Sequence, residues 1–485
     1  MSQQSLKDKT IKGTAWSAAD AILGQGITFL VGLVLARLLS PEEYGLIGIC
    51  MIFISVLNGI VDSGFSNALI RKNNASDTDY NTMFITNMLA SVVLYIVLFL
   101  ASSWISVFFD RSELTSLIRV VGLILFANAL SITQNTILTK RIDFKTKTKA
   151  SVVSSLTSGI IGVVMALSNF GVWSLVGQVL SKQITYTFCL WILNHWWPTF
   201  TFSSKSFYYM WGFGWKLMVS GLLNTLWNQL YQVVVGKFYS PFTLGQYTRG
   251  REYAGLLSSN LTTIIQRVSF PVLCQLQDDK SRMVEGYRKV IKMTMFVSVL
   301  GLFTLGAISE PLLYCMIGPQ WYEASTYLPL ICILMTLYPL HAINLNMLQV
   351  LGRSDIFLYL EIIKKIIGLF PLIVGIYIGI YWMLVSSIFI SIISLFLNSW
   401  YTGKKLNYGM IEQIKDISHI YLIAISISIP VYLLKYVDLS YWYILPVQIT
   451  IALLGYVIIS EYIKLSEYIE IKKLLCTFRL NNTRH

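Results

Sequence analysis

From Thr14 to Ser460 the chain is a succession of apolar runs, each near the length a helix needs to cross a bilayer, joined by short polar connections. A hydrocarbon core of about 30 Å takes about 20 helical residues. In lipid, only helices or closed barrels satisfy every backbone group. Fourteen runs read as spans: roughly 14–39, 44–69, 82–109, 115–138, 150–167, 172–193, 213–236, 242–265, 290–308, 327–351, 362–380, 381–401, 417–434 and 441–460. The eighth contains Arg249, Arg251 and Glu252, but omitting it would put the following loops on the wrong side. Only 13% of residues are charged, about half the fraction of a soluble domain. The longest outer connection, about 309–326, is too short to fold as a domain of its own. The expected fold class is therefore an all-α integral membrane protein with about 14 transmembrane helices.

The net charge of +13 reads as a topology signal, because of where the charge lies. With the amino terminus inside, 28 of the 37 Lys and Arg residues fall in cytoplasmic segments. Lys140, Arg141, Lys145, Lys147 and Lys149 form one cluster, and Lys280, Arg282, Arg288, Lys289 and Lys292 another. Arg37, Arg111, Lys237 and Lys435 are among the few outside. Positive-inside asymmetry of this kind sets orientation, so nucleic acid is not expected as a partner and both termini are expected in the cytoplasm. The first run lacks a small-residue cleavage site and is too long for a signal peptide, so it reads as an uncleaved span. Trp104, Trp173, Trp321, Trp382 and Trp442 fall near outer span ends, where an amphipathic indole is favoured. The six cysteines and four histidines are scattered, so neither a metal nor a cofactor site is expected.

The pattern repeats. Ser40-Pro41-Glu42-Glu43-Tyr44-Gly45 opens the second span and Ser240-Pro241-Phe242-Thr243-Leu244-Gly245 the eighth, 200 residues later. Taken singly, each is a good helix start, with Ser as N-cap and Pro in the first turn. Three more landmarks recur in the same order. Gly13-x-x-Trp16 is matched by Gly212-x-x-Trp215, Arg141-Ile142-Asp143-Phe144 by Arg353-Ser354-Asp355-Ile356-Phe357, and Trp173-Ser174-Leu175-Val176 by Trp382-Met383-Leu384-Val385. Six spans per unit is an even number, so the copies enter the membrane in the same direction. Such parallel repeats are related by an axis along the membrane normal and alternate access by rocking. The expected organisation is an N-terminal six-helix lobe over 1–200 and a C-terminal six-helix lobe over 201–408. An additional helix pair and a basic cytoplasmic tail follow over 409–485.

These landmarks resemble the multidrug/oligosaccharidyl-lipid/polysaccharide exporter superfamily, and within it the polysaccharide transporter family that includes Wzx-type O-antigen-unit flippases. The matching stretches include ARLLSPEEYGLIG, DSGFSNALIRK, NFGVWSLVGQ, GKFYSPFTLGQYTRGREY, IIQRVSFPVLCQLQDD and LGRSDIF, from about residue 12 to 357. The resemblance implies a multi-pass protein of the bacterial inner membrane. It implies a flippase that moves undecaprenyl-diphosphate-linked oligosaccharide from the cytoplasmic to the periplasmic leaflet, for capsule, exopolysaccharide or O-antigen (lipopolysaccharide) synthesis. The implied partners are that lipid-linked oligosaccharide, membrane lipids and the polysaccharide polymerase machinery.

Charges inside spans are costly and usually face a cavity or a partner. Arg249, Arg251 and Glu252 lie eight to eleven residues past Pro241, about 12–17 Å along a helix and so near mid-membrane. Arg249 and Glu252 are spaced to pair on one face. Arg251 points elsewhere, where its guanidinium fork suits a diphosphate; a structural ion pair with snorkelling is the competing reading. Lys182, Lys216 and Arg267 add positive potential, and Lys216 and Arg267 lie near enough the inner face for headgroup contact. Asp20 and Asp62 are candidates for a coupling cation or proton, although Asp62 can equally orient the Asp62-Ser63-Gly64 turn. No phosphate-binding GxxxxGKS loop occurs, and the chain reads as a non-enzyme. The rival functions are a cation-coupled multidrug exporter of the same superfamily and, more remotely, a membrane polymerase or ligase.

Overall fold

The computed structural model describes residue 16 and residues 23–276 and 279–473, and every described element is helical. The helices are α1 (Leu23–Leu38), α2 (Pro41–Asp62), α3 (Phe65–Arg71), α4 (Asp77–Phe108), α5 (Glu113–Val121), α6 (Ile124–Lys140), α7 (Phe144–Leu167), α8 (Val172–Asn194), α9 (Ser204–Phe238) and α10 (Pro241–Gln275). They continue with α11 (Lys280–Ala307), α12 (Ser309–Ile317), α13 (Tyr322–Thr336), α14 (Tyr338–Val350), α15 (Ser354–Ile367), α16 (Leu369–Tyr377), α17 (Ile380–Leu406), α18 (Met410–Leu433), α19 (Tyr441–Tyr462) and α20 (466–473). Among the described residues, nine stretches are long and apolar enough to cross a membrane. The five other expected spans correspond to α1, α8, α9, α10 and the α15–α16 pair. α8, α9 and α10 are continuous helices with polar residues inside them: Gln178, Lys182 and Gln183; Lys216, Asn224, Asn228 and Gln229; and Arg249, Arg251 and Glu252.

Several expected single spans are bent. Ser63 and Gly64, both left-handed at φ 50° and 70°, separate α2 from α3. At Gly122–Leu123 the ladder tightens to i→i−3 bonds, which splits α5 from α6. Pro329 lies inside α13 and Pro339 in the first turn of α14, and each lacks the N–H that would bond four residues back. Both freed carbonyls are satisfied by hydroxyls from elsewhere. Ser309 Oγ donates to Ser325 O at 3.1 Å and Ser258 Oγ to Met335 O at 2.9 Å. The connection expected over 309–326 is itself helical, as α12, a 3₁₀ turn and the start of α13.

By internal contacts the chain divides into residues 1–245 and 246–485. In the first unit α7 packs along α8, α8 against α6, and α2 against α9. The second is built on a core that includes Tyr287, Ile291, Met295, Val299, Leu340, Met347, Ile420 and Ala424 from α11, α14 and α18.

The repeated landmarks fold alike. α6 and α14 both end in a Schellman turn. Ile142 N and Asp143 N reach Thr139 O and Leu138 O, as Gly352 N and Arg353 N reach Gln349 O and Leu348 O. Ile142 and Gly352 supply the left-handed residue. Within its own unit each landmark arginine then reaches a helix further on. Arg141 Nη1 donates to Asn194 Oδ1 of α8 at 3.4 Å, and Arg353 Nη1 to Tyr401 OH of α17 at 3.1 Å.

Ser40 and Ser240 are both N-caps, accepting from Glu43 N at 3.4 Å and Thr243 N at 3.1 Å. The motif glycines have a second role. A Cβ on Gly45 would lie 1.7 Å from Pro241 O, and a Cβ on Gly245 1.9 Å from Pro41 O. The first turns of α2 and α10 therefore cross backbone to backbone, a contact closed to every residue except glycine.

Candidate functional site

α10 is held at its start by Gln246, which donates to Gln320 O at 2.7 Å and accepts from Ala324 N at 2.9 Å. This bidentate clasp fixes the rotation of the helix one turn before its charges. Arg249 Nη1 then pairs with Glu252 Oε2 at 2.6 Å, as the i,i+3 spacing predicts. The pair is lopsided, with side-chain exposures of 8% and 58%. The guanidinium carbon lies 5.6 Å from the ring centroid of Trp321, which is fully buried. Ion pair and indole together offset the desolvation of the arginine. Arg251 is half-exposed on a different side of the helix.

Glu252 begins a polar stripe that continues through Ser259, Asn260 and Thr263, all exposed at helical spacing. Asn260 Nδ2 and Thr263 Oγ1 donate back to Leu256 O at 2.8 Å and Ser259 O at 2.9 Å, and a stripe that carries an exposed carboxylate and an amide is less costly against a polar cavity than against hydrocarbon. The sequence reading missed Ser259, Asn260 and Thr263, although their spacing from Glu252 was a visible signal.

The first unit contains a separate polar assembly. Lys182, ten residues into α8, donates from Nζ to Thr28 Oγ1 at 2.9 Å, and Thr28 lies 3.3 Å from Ser155 Oγ of α7. On the adjoining side of α8, Gln183 donates to Ser131 Oγ and Tyr186 OH to Asn135 Oδ1, at 3.2 and 2.7 Å, and Asn128 donates to Asn58 Oδ1 at 2.8 Å. Asn128, Ser131 and Asn135 share one face of α6 at +3 and +4 steps, a pattern the apolar-run reading passed over. The assembly joins α1, α2, α6, α7 and α8 through side chains at mid-helix.

The other expected site residues are dispersed. Asp62 ends α2, and its Oδ1 accepts from Ser66 Oγ at 2.5 Å and Ser66 N at 3.4 Å, so it orients the turn into α3. Lys216 is exposed on α9. It lies 22 residues before the end of α9 at Phe238, about 33 Å, so with that end at the outer face it falls near the inner one. Asp20 and the side chain of Arg267 lie outside the described residues. Among the described residues no group of three or more His, Cys, Asp or Glu is placed to hold a metal ion.

Comparison with known proteins supplies the family. Residues 34–326 match the model of a family described as polysaccharide biosynthesis protein. The chain is 23% identical over 326 residues to the succinoglycan biosynthesis transport protein ExoT of Rhizobium meliloti (strain 1021), covering 67% of this chain and 66% of that protein. It is 26% identical over 306 residues to the teichuronic acid biosynthesis protein TuaB of Bacillus subtilis (strain 168), covering 62% of each. The match thus spans somewhat under two thirds of the length of each of these relatives. Among solved structures, the lipid II flippase MurJ in an inward closed conformation superposes with a TM-score of 0.71 at 16% identity, over 93% of this chain and 98% of that one. At that identity the likeness establishes the fold.

Proposed function

Since the chain belongs to the polysaccharide biosynthesis protein family, we propose that it is a flippase for polysaccharide precursors carried on undecaprenyl diphosphate. It moves them from the cytoplasmic to the periplasmic leaflet of a bacterial inner membrane, with both termini in the cytoplasm. The observation that carries this reading is α10, a helix in a membrane-spanning fold with a polar stripe and a clamped arginine where apolar side chains would serve a purely structural span.

Such a substrate asks for three things. The diphosphate needs cations held in place, and Arg251 is assigned that role because guanidinium forks match phosphate oxygens, with Arg249 adding positive charge from another side of the helix. The sugars need hydroxyl and amide partners in a water-accessible cavity, which Ser259, Asn260 and Thr263 can supply. The prenyl chain needs lipid, which the apolar exterior of the helices already meets. Lys182 adds a second mid-helix cation, and Lys216 and Arg267 serve headgroups near the inner face. Two lobes of six helices with a C-terminal pair, rocking about this substrate, would give alternating access. Asp20 and Asp62 are the candidate positions for a coupling ion.

The decisive experiment is reconstitution with a lipid-linked oligosaccharide confined to one leaflet, followed by a membrane-impermeant lectin. Wild-type protein should expose the sugar to the lectin, and Arg251→Ala should slow exposure at least about tenfold, the loss of one charge-assisted hydrogen bond. Wild-type vesicles that never expose the sugar, yet expel cationic dyes, would replace this proposal with a drug exporter.

A further inference from the structure

α11 has 28 residues, about 42 Å, which exceeds the hydrocarbon core by about 12 Å. Its first two turns therefore reach the headgroup layer. α19 has 22 residues, about 33 Å, just enough to span, so α20 lies at the level where the chain has left the hydrocarbon. Between these ends lies a cavity of about 480 Å³. Its ionisable walls are Glu285, Arg288, Lys289 and Lys292 of α11 with Glu467 and Glu470 of α20. Three acids face three bases, so the cavity has both signs and no net charge.

The internal pairing is incomplete. Arg288 is committed to Asp416 of α18 by bonds of 2.8 and 2.7 Å, and Lys289 to Glu470 at 2.7 Å. Lys292 reaches Asp416 only at 3.7 Å, beyond hydrogen-bond range. Glu467 is 3% exposed; its Oε2 takes Ser466 Oγ at 3.1 Å and lies 3.8 Å from His419 Nε2, while its Oε1 has no hydrogen-bond partner. A carboxylate oxygen closed in without a donor is costly, and a turn of the Glu467 side chain toward the cavity brings it to one.

We infer that this cavity binds the headgroup of a phosphatidylethanolamine molecule from the surrounding leaflet, with its ammonium on Glu467 and its phosphate on Lys292. An anionic headgroup would satisfy Lys292 and leave Glu467 bare. A choline headgroup has the right charges, but its quaternary nitrogen has no N–H to donate. Only a primary ammonium beside a phosphate satisfies both ends. The cavity opens at the headgroup level of the first two turns of α11, where a lipid presents that pair already anchored, and Lys292, five residues deeper, reaches back to it along its flexible stem. The inference depends on the membrane-spanning fold and is independent of what the protein transports.

The test is competitive lipid retention. Delipidated full-length protein is offered an equimolar mixture of phosphatidylethanolamine, phosphatidylcholine and phosphatidylglycerol of matched chains, and retained lipid is counted by native mass spectrometry. Phosphatidylethanolamine should be retained about tenfold over each of the others, the value of one hydrogen bond to a charged group. Glu467→Gln should bring its ratio to phosphatidylcholine close to one. Lys292→Gln should weaken both of those lipids and leave their ratio unchanged. Equal retention by the wild-type protein overturns the inference whether or not either variant folds. Saturation by soluble phosphoethanolamine with no lipid preference overturns the assignment to a lipid.

Discussion

At the scale of single residues, charge placement separates what the sequence could say from what it could not. The Arg249–Glu252 pair was legible, because i,i+3 spacing on one helix fixes the geometry in advance. The turn role of Asp62 was one of two open readings, and Ser66, four residues on, is the partner the structure supplies. Trp321 beneath Arg249 and Thr28 beneath Lys182 were not legible, since contacts between distant helices depend on how each is rotated. If Lys182 works on substrate rather than on packing, Lys182→Met should lower polysaccharide secretion about tenfold at unchanged protein level. Thr28→Val, which removes only its hydroxyl partner, should leave secretion near normal. Equal losses in a complementation assay would make Lys182 a structural residue.

At the scale of elements, uniform apolar runs conceal their own breaks. Pro339 signals that Met335 O loses its helical partner, but nothing in the run signals that Ser258 Oγ takes its place. Ser258→Ala should therefore destabilise the protein by about 1–3 kcal/mol, the cost of a buried unsatisfied carbonyl. Ser259→Ala, one residue on and exposed, should cost much less in the same thermal unfolding series. The crossing of α2 and α10 allows a stricter test. Gly45→Ala puts a methyl against a backbone oxygen, so the helix starts must part, at about 1–3 kcal/mol. Gly245→Ala forces the same separation from the other side. The double substitution should thus cost distinctly less than the two single costs added together, and simple additivity would show that the contact is not shared.

At the scale of the whole molecule, the family and an all-helical membrane-spanning fold were readable, because apolar runs and four landmarks recurring in order mark them. The Schellman turns that end α6 and α14 give the repeat a physical form. The number of spans was harder to read, because helices with polar interiors such as α9 and α10 look least like membrane segments when hydropathy is the only guide. An even number of spans between the copies requires residues 71–81 and 280–290 to share one face of the bilayer. Single cysteines placed in those two segments should react together with an impermeant maleimide, or fail to react together, in intact cells. Labelling of one segment without the other would break the repeat. The glycine crossing also constrains descent. When a duplicated motif meets its own copy, drift at either glycine is checked by the proline carbonyl of the other copy. A likeness between the two copies that looks like leftover ancestry is, at this one point, renewed in every generation by a shortage of room.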